Sequence, residues 1–184
     1  MAQHEESMWE RIFSGRNLVR AMERVQSNKG APGVDGMTVE ELPGHLLEHW
    51  RSIRAKLDLR EYQPSPVKQV VIPKPDGGER LLGIPTVQDR LIQQAMHQVL
   101  SEEYEPKFRD HSYGFRPGRS AHDAVRKAQG YVEDGNVWVV DMDLAKFFDT
   151  VNHDRLMSRM KRDIEDKRVV WLVNQYLKAG VMVE

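Results

Sequence analysis

Two aspartates stand where a strand would not normally carry them. The run Val137-Trp138-Val139-Val140 is apolar and β-prone, and the chain then places Asp141 and Asp143 with Met142 between them. Aspartate is depleted in strands, so local propensity is broken here for a reason. On an extended backbone, residues two apart share a face, which would send both carboxylates to one side. The pattern suits a hard cation. Magnesium takes carboxylate oxygens and keeps positions open for phosphates. Two such ions could activate an attacking hydroxyl and stabilise a leaving oxygen in phosphoryl transfer. Solvated caps at a strand end would give the same two residues. A few positions downstream, Phe147 and Phe148 add aromatic bulk close to the carboxylates, and Asp149 adds another acid.

Basic residues cluster in loops. Lys74 and Arg80 flank the turn Asp76-Gly77-Gly78, so both can project from one tip. Arg116 and Arg119 lie in the Gly/Pro-rich stretch Tyr113–Arg119, just before a helix start. Such a loop can offer backbone amides and guanidinium groups to phosphates, or it can use its arginines as internal anchors. Arg90 falls in the first turn of a helix, where the dipole disfavours a cation, so an anionic partner is expected there: Asp89 or a phosphate. His45 and His49 are four apart without an accompanying carboxylate motif, which reads as a solvated helix face. The four tryptophans, Trp9, Trp50, Trp138 and Trp171, are expected in the core.

The elements that must hold these residues can be read from periodicity and punctuation. Ser7-Met-Trp-Glu10 has the form of a capping box, and a short helix comes after it, broken near Ser14-Gly15. Leu18, Val19, Met22 and Val25 then recur at helical spacing. Asn28–Gly36, with three glycines and a proline, is an irregular loop. Leu46, Leu47, Trp50, Ile53 and Leu57 mark another helix, ended by Pro64 and Pro66. Val67–Pro73 and Glu79–Ile84 form a hairpin. Thr86-Val-Gln-Asp89 opens the longest helix, whose apolar face is Val87, Leu91, Ile92, Ala95, Met96, Val99 and Leu100. Ser120-Ala-His-Asp123 caps a helix with Ala124, Val125, Ala128 and Val132 on one side. Asn136–Met142 is expected as a buried strand, and Asp166–Ala179 as an amphipathic helix stopped at Gly180.

Composition bounds the class. The chain has 184 residues, 40% hydrophobic and 30% charged, enough for a folded core. No apolar run approaches the roughly 18 residues of a membrane helix, and the start lacks a signal-peptide pattern. Without cysteine, disulfides and thiolate zinc sites are excluded, which fits a cytosolic protein. The net charge of -1 is unusual for a nucleic-acid binder. Arg109, Arg116, Arg119, Arg126 and Lys127 nevertheless lie close together with only Asp110 and Asp123 among them, so a basic groove is compatible with a neutral total.

Six segments, in order, resemble group II intron reverse transcriptases: Asn28–Gly36 (NKGAPGVDG), Ile72–Pro75, Arg80–Thr86, Asp89–Gln93, Tyr113–Arg119 (YGFRPGR) and Asp143–His153 (DLAKFFDTVNH). The first looks like the amino-terminal extension loop that these enzymes have and retroviral enzymes lack. The resemblance implies an α+β fold of reverse-transcriptase fingers and partial palm, mostly helical, with a fingertip β-hairpin and a palm strand. It divides the chain into an extension at residues 1–60, fingers at 61–135 and the start of the palm at 136–184. It implies that Asp143 and the carbonyl of Leu144 bind Mg2+ in a two-metal site, and that Phe148 lies beneath the sugar of the dNTP and excludes a ribose 2′-OH. Lys74 and Arg80 would hold the triphosphate. Arg90, Arg116, Arg119, Asn28, Lys29 and Gly30 would contact nucleic acid.

The partners implied are an RNA template, a DNA primer, dNTP and group II intron RNA, in a bacterial or archaeal cytoplasm, with no membrane and a homodimer left open. The family's Y-[AV]-D-D tetrapeptide does not occur in these 184 residues, nor does the Q-G motif that follows the palm helices; the one Gln-Gly pair, Gln129-Gly130, precedes Asp143. This chain alone is therefore expected not to polymerise DNA. An RNA-binding module without chemistry, or a CRISPR-associated or retron-type reverse transcriptase, are the alternatives. Asp143 and Phe148 speak for a polymerase, since gripping RNA needs neither.

Overall fold

The computed structural model describes residues 6–75, 77–144 and 146–182. The fold is α+β and packs as two units. One runs to Val99 and resumes at Asn152; the other is Leu100–Val151. The division expected from the motifs, at residues 60 and 135, is a separate proposition. Among the described residues no helix is long and apolar enough to cross a membrane.

In the first unit, α1 (Met8–Ile12) and α2 (Gly15–Ser27) are split where Ser14-Gly15 predicts a break. Ser7 and Ser14 each cap their helix with a side-chain oxygen. Buried Asn17 fastens the break by donating to the carbonyls of Ile12 (2.8 Å) and Ala95 (3.0 Å). Trp9 is fully buried, with its indole N–H on Asp58 at 2.7 Å and the Arg168 guanidinium over its ring. α3 (Leu42–Asp58) buries Leu42, Ile53 and Leu57. Leu47, expected on that face, is exposed. It comes one residue after Leu46, about 100° around the helix.

The hairpin forms as predicted, β1 (Val67–Pro73) antiparallel to β2 (Glu79–Ile84) with Val70 opposite Leu82 and Ile72 opposite Arg80. Asp76 in its turn lies outside the described residues. α7 (His153–Asp163) is not among the helices expected from apolar spacing. α8 (Lys167–Lys178) is, and Gly180 at φ +77° turns the chain out of it into the short β3 (Val181–Met182). β3 pairs parallel with β1, giving the order β2-β1-β3.

α4 (Val87–Tyr104) buries the predicted stripe through Val99, and with it one carboxylate. Asp89 is 1% exposed. It accepts from the Tyr62 hydroxyl (2.7 Å), the Thr86 hydroxyl (2.7 Å), the Ser65 N–H (3.1 Å) and the Tyr176 hydroxyl (3.2 Å). The glycine loop sits on the same helix start: a Cβ at Gly33 would come within 2.7 Å of the Thr86 backbone, and one at Gly30 would run into Arg90.

In the second unit, α5 (Ala121–Glu133) starts with a full capping box between Ser120 and Asp123, as predicted. α6 (Phe147–Thr150) is a single turn entered through Lys146 at φ +50°. Two expectations fail. Residues 136–142 form no strand and are exposed along their whole length, Trp138 to 93%, so this tryptophan is not in the core. α5 buries none of its residues, and Val125 and Val132 face solvent. The composition of both segments suits burial, but a strand exists only through a hydrogen-bonded neighbour. Among the described residues none runs beside 136–142.

Burial, and then neighbouring negative charge, push the Tyr62 and Tyr176 hydroxyls well above the ordinary phenol range. The folded chain thus holds these protons more tightly than the unfolded one. Their contribution is complete below the unfolded value of about 10 and is lost as pH rises above it. Urea unfolding should show stability falling above about pH 10, and Tyr176→Phe should flatten that fall. At neutral pH Asp89→Ala should cost about 3 kcal/mol, since it strands several buried donors. For the loop, Gly33→Ala should open residues 28–36 to limited proteolysis, because backbone must move. Gly30→Ala should do so less, because only the Arg90 side chain, and with it the bond to Ala31, must shift.

Candidate functional site

The carboxylate segment lies in the second unit. Asp141, Asp143 and Leu144 are all exposed, and the Leu144 N–H donates to Asp143 Oδ1 at 2.9 Å. Because residues 136–142 are not extended in a sheet, alternation does not fix where Asp141 and Asp143 point. Among the described residues no three carboxylate or histidine side chains converge as a metal site. An exposed carboxylate nevertheless fits magnesium as part of a donor set. Phe148 is 88% exposed and packs edge-on against Phe147, ring centroids 5.4 Å apart. An extended backbone would turn Phe147 to the side opposite Phe148 and into the interior, but Phe147 is itself 48% exposed. The backbone there is a helical turn, so successive side chains do not alternate. The side chain of Asp149 lies outside the described residues.

The same unit holds the GFRPGR loop. Arg116 is its anchor, with a side chain only 7% exposed. Nε and Nη2 donate to Glu105 Oε1 at 2.9 and 2.7 Å, and Nη1 donates to the carbonyls of Arg109 (2.7 Å) and Ser112 (2.9 Å). Arg119 is more open: Nη1 donates to the Asp110 carbonyl at 2.6 Å and the guanidinium lies over the Tyr113 ring. Arg126 is paired with Asp123, and Lys127 lies over Tyr131.

In the first unit, Lys74 and Arg80 are both exposed at the hairpin tip. The Lys74 N–H donates to the Gly78 carbonyl at 2.7 Å, which tightens the turn. Arg90 does not pair with Asp89, whose oxygens are taken as described. Its Nη2 instead donates to the Ala31 carbonyl at 2.7 Å, in the glycine loop, with the charge of Asp35 nearby. Burial lowers its pKa, and Nε is buried with no partner among the described residues. Asn28 ends α2, and Lys29 comes next at φ +46°. Asn28 and Arg90 share the wall of a cavity of about 280 Å³ with Gln93 and Gln94. The structure therefore joins Gly30 and Arg90, and keeps Asp143, Leu144 and Phe148 as neighbours along the chain. Reading by motif overlooks the Asp89 cluster, although Thr86-x-x-Asp89 signals it. It also overlooks α7, where Arg155, Arg159, Lys161 and Arg162 crowd into eleven residues.

Residues 72–183 match the family model for reverse transcriptase (RNA-dependent DNA polymerase). The chain is 40% identical over 169 residues to Protein YkfC of Escherichia coli, covering 89% of this chain and 44% of that protein. It is 36% identical over 163 residues to the group II intron-encoded protein LtrA of Lactococcus lactis subsp. cremoris, covering 88% and 27%. It is 32% identical over 167 residues to a putative COX1/OXI3 intron 1 protein of Saccharomyces cerevisiae, covering 91% and 20%. The chain thus spans less than half the length of these relatives. A solved chain of a Cas6-RT-Cas1–Cas2 complex superposes with a TM-score of 0.59 at 20% identity, covering 98% of this chain and 29% of that one, which bears on the fold alone. With the family match running from the fingertip strand past Asp143 and Phe148, and with intron-encoded proteins among its relatives, the chain belongs to the reverse transcriptase family, in its group II intron-encoded branch.

Proposed function

We propose that this chain forms the fingers and the start of the palm of an RNA-directed DNA polymerase. It would grip an RNA template with its DNA primer and position the incoming dNTP. The whole protein would also assist the splicing and mobility of a group II intron whose RNA it binds, in a bacterial or archaeal cytoplasm. The observation that carries this reading is the run from Asp143 to Phe148. It lies inside the family match and presents an exposed carboxylate and an exposed aromatic ring five positions apart. A module that only held RNA would need neither.

Each residue then has a physical task. The Asp143 carboxylate and the Leu144 carbonyl hold Mg2+, as part of a donor set. When bound, the metal supplies Lewis acidity to the attacking hydroxyl and charge neutralisation to the phosphates. Phe148 excludes a 2′-OH by volume. Lys74 and Arg80, at the hairpin tip, hold the triphosphate. Arg119 contacts phosphate, and Arg116 acts through the loop it anchors. Arg90 latches the glycine loop, which carries Asn28, Lys29 and Gly30 toward the nucleic acid. The intron-encoded relatives favour the intron reading over a CRISPR-associated one, because the resemblance to the CRISPR complex is one of fold.

Primer extension on an RNA template tests the proposal in the whole protein. Asp143→Asn should abolish Mg2+-dependent extension. RNA binding with no extension by the unaltered protein would leave only the RNA-binding module. Phe148→Ala should raise ribonucleotide use relative to deoxynucleotide use by about tenfold or more, since only bulk discriminates against the added hydroxyl. Phe147→Ala should leave that ratio unchanged. The reverse result would shift the motif assignment by one residue and reopen the role of Asp143.

A further inference from the structure

α7 and α8, both in the first unit, enclose a cleft that none of the six motif segments explains. Its volume is about 1030 Å³, at the upper end of small-molecule pockets. That size suits a short stretch of polymer better than a single small ligand. The floor is apolar, with Met157 and Val170 buried. Trp171 lines one wall, half-buried. Lys161 and Arg162 of α7, and Lys167 and Lys178 of α8, stand around it exposed.

The charges in the cleft are arranged unevenly. Two acids, Asp154 and Glu165, also line it. Neither pairs with any of the four cations among the described residues, so four positive charges face two negative ones. Arg168, one position from Lys167, behaves differently and is consumed by Asp166 at 3.0 Å. Ser158 and Asn174 also line it and add hydrogen-bonding groups.

We propose that this cleft binds single-stranded RNA, with a base stacked on Trp171 and neighbouring phosphates held by the lysines and Arg162. An aromatic face among cations is the usual platform for unpaired nucleic acid, where stacking and phosphate contacts act together. Asn174 and Ser158 can meet base edges, the part of RNA that unpaired strands expose. A helical peptide would want an uninterrupted apolar floor, and a lone phosphate would leave Trp171 unused. The choice of RNA as the polymer rests on the reverse-transcriptase reading; the surplus of positive charge does not.

The test is fluorescence anisotropy of the whole protein with a labelled 12-nucleotide oligouridylate across a salt series. The charge-reversing pair Lys161→Glu and Arg162→Glu touches exposed residues, so the fold should hold, as circular dichroism would verify. It should weaken binding at least tenfold and reduce the slope of log affinity against log salt by about 1.4, at roughly 0.7 per phosphate contact on a single strand. Trp171→Phe should retain most of the affinity and Trp171→Leu should lose about fivefold or more, as expected for a lost base stack. A 4-thiouridine in the oligomer should cross-link to the peptide carrying Trp171. Unchanged affinity and slope in the charge-reversed protein overturn the proposal. So does a shift from dimer to monomer with RNA binding intact, which would make the cleft a protein interface. Primer extension by the same preparations reports on the polymerase reading separately: active protein with an unresponsive cleft sinks this inference alone.

Discussion

A single buried carboxylate holds together segments that are far apart in the chain. Asp89, at the start of α4, receives hydrogen bonds from Tyr62 and Ser65 before the hairpin, from Thr86 one turn upstream, and from Tyr176 in α8. An ion so deeply buried is tolerable only when its lone pairs are taken, and here four donors take them. The geometry then propagates. Thr86 is also the residue whose backbone Gly33 packs against, and Arg90, next to Asp89, reaches the Ala31 carbonyl. The hairpin's entry, the glycine loop and the last helix are thus referenced to one helix start.

That arrangement explains which parts of the fold can be read from the sequence. Caps such as Ser7 and Ser120 announce their helices, and apolar spacing announces α2, α3, α4 and α8 in the first unit, because both signals are local. The hairpin is legible for the same reason: its strands are β-prone and its partner is the next segment along. The Asp89 cluster is visible only in its local half, Thr86-x-x-Asp89, while Tyr62 and Tyr176 come from distant positions that no pattern links to it. Residues 136–142 show the opposite failure. Their composition is that of a buried strand, but burial and pairing depend on a neighbour, and the neighbour is a separate fact. α7 escapes a reading by periodicity because its cations obscure its few apolar positions, of which it buries Met157.

The candidate site is legible as residue types and less so as roles. Arg116 and Arg119 look equivalent in GFRPGR, yet their surroundings separate them. A guanidinium has five N–H donors in a fixed fork. Arg116 spends its fork on Glu105 and two loop carbonyls, so turning it to a phosphate would dismantle the loop that presents Arg119. Arg90 reads as a cation awaiting an anion because the helix dipole opposes it. The structure meets that cost partly with a carbonyl and with Asp35 at a distance, and leaves Nε buried without a partner among the described residues. A cation kept at such a helix start, against the dipole and partly desolvated, is held there by the loop it latches.

The segments that mark the family are therefore not simply those that would touch a substrate. NKGAPGVDG and Asp89–Gln93 meet each other at the start of α4, and much of what they do is to shape one another: Gly33 is small because Thr86 backbone is there, and Gly30 is small because Arg90 is. In Asp143–His153 the reverse holds. Asp143 and Phe148 are exposed and hold little of the fold. Physical context thus divides the motif residues into those that build the scaffold and those that spend exposed surface on a charge or a ring. The net charge of -1 loses its force as an objection on the same ground. Acids such as Asp89, Asp166 and Glu105 are committed to internal partners, while cations on α7 and at the fingertip stay at the surface, where a polyanion would meet them.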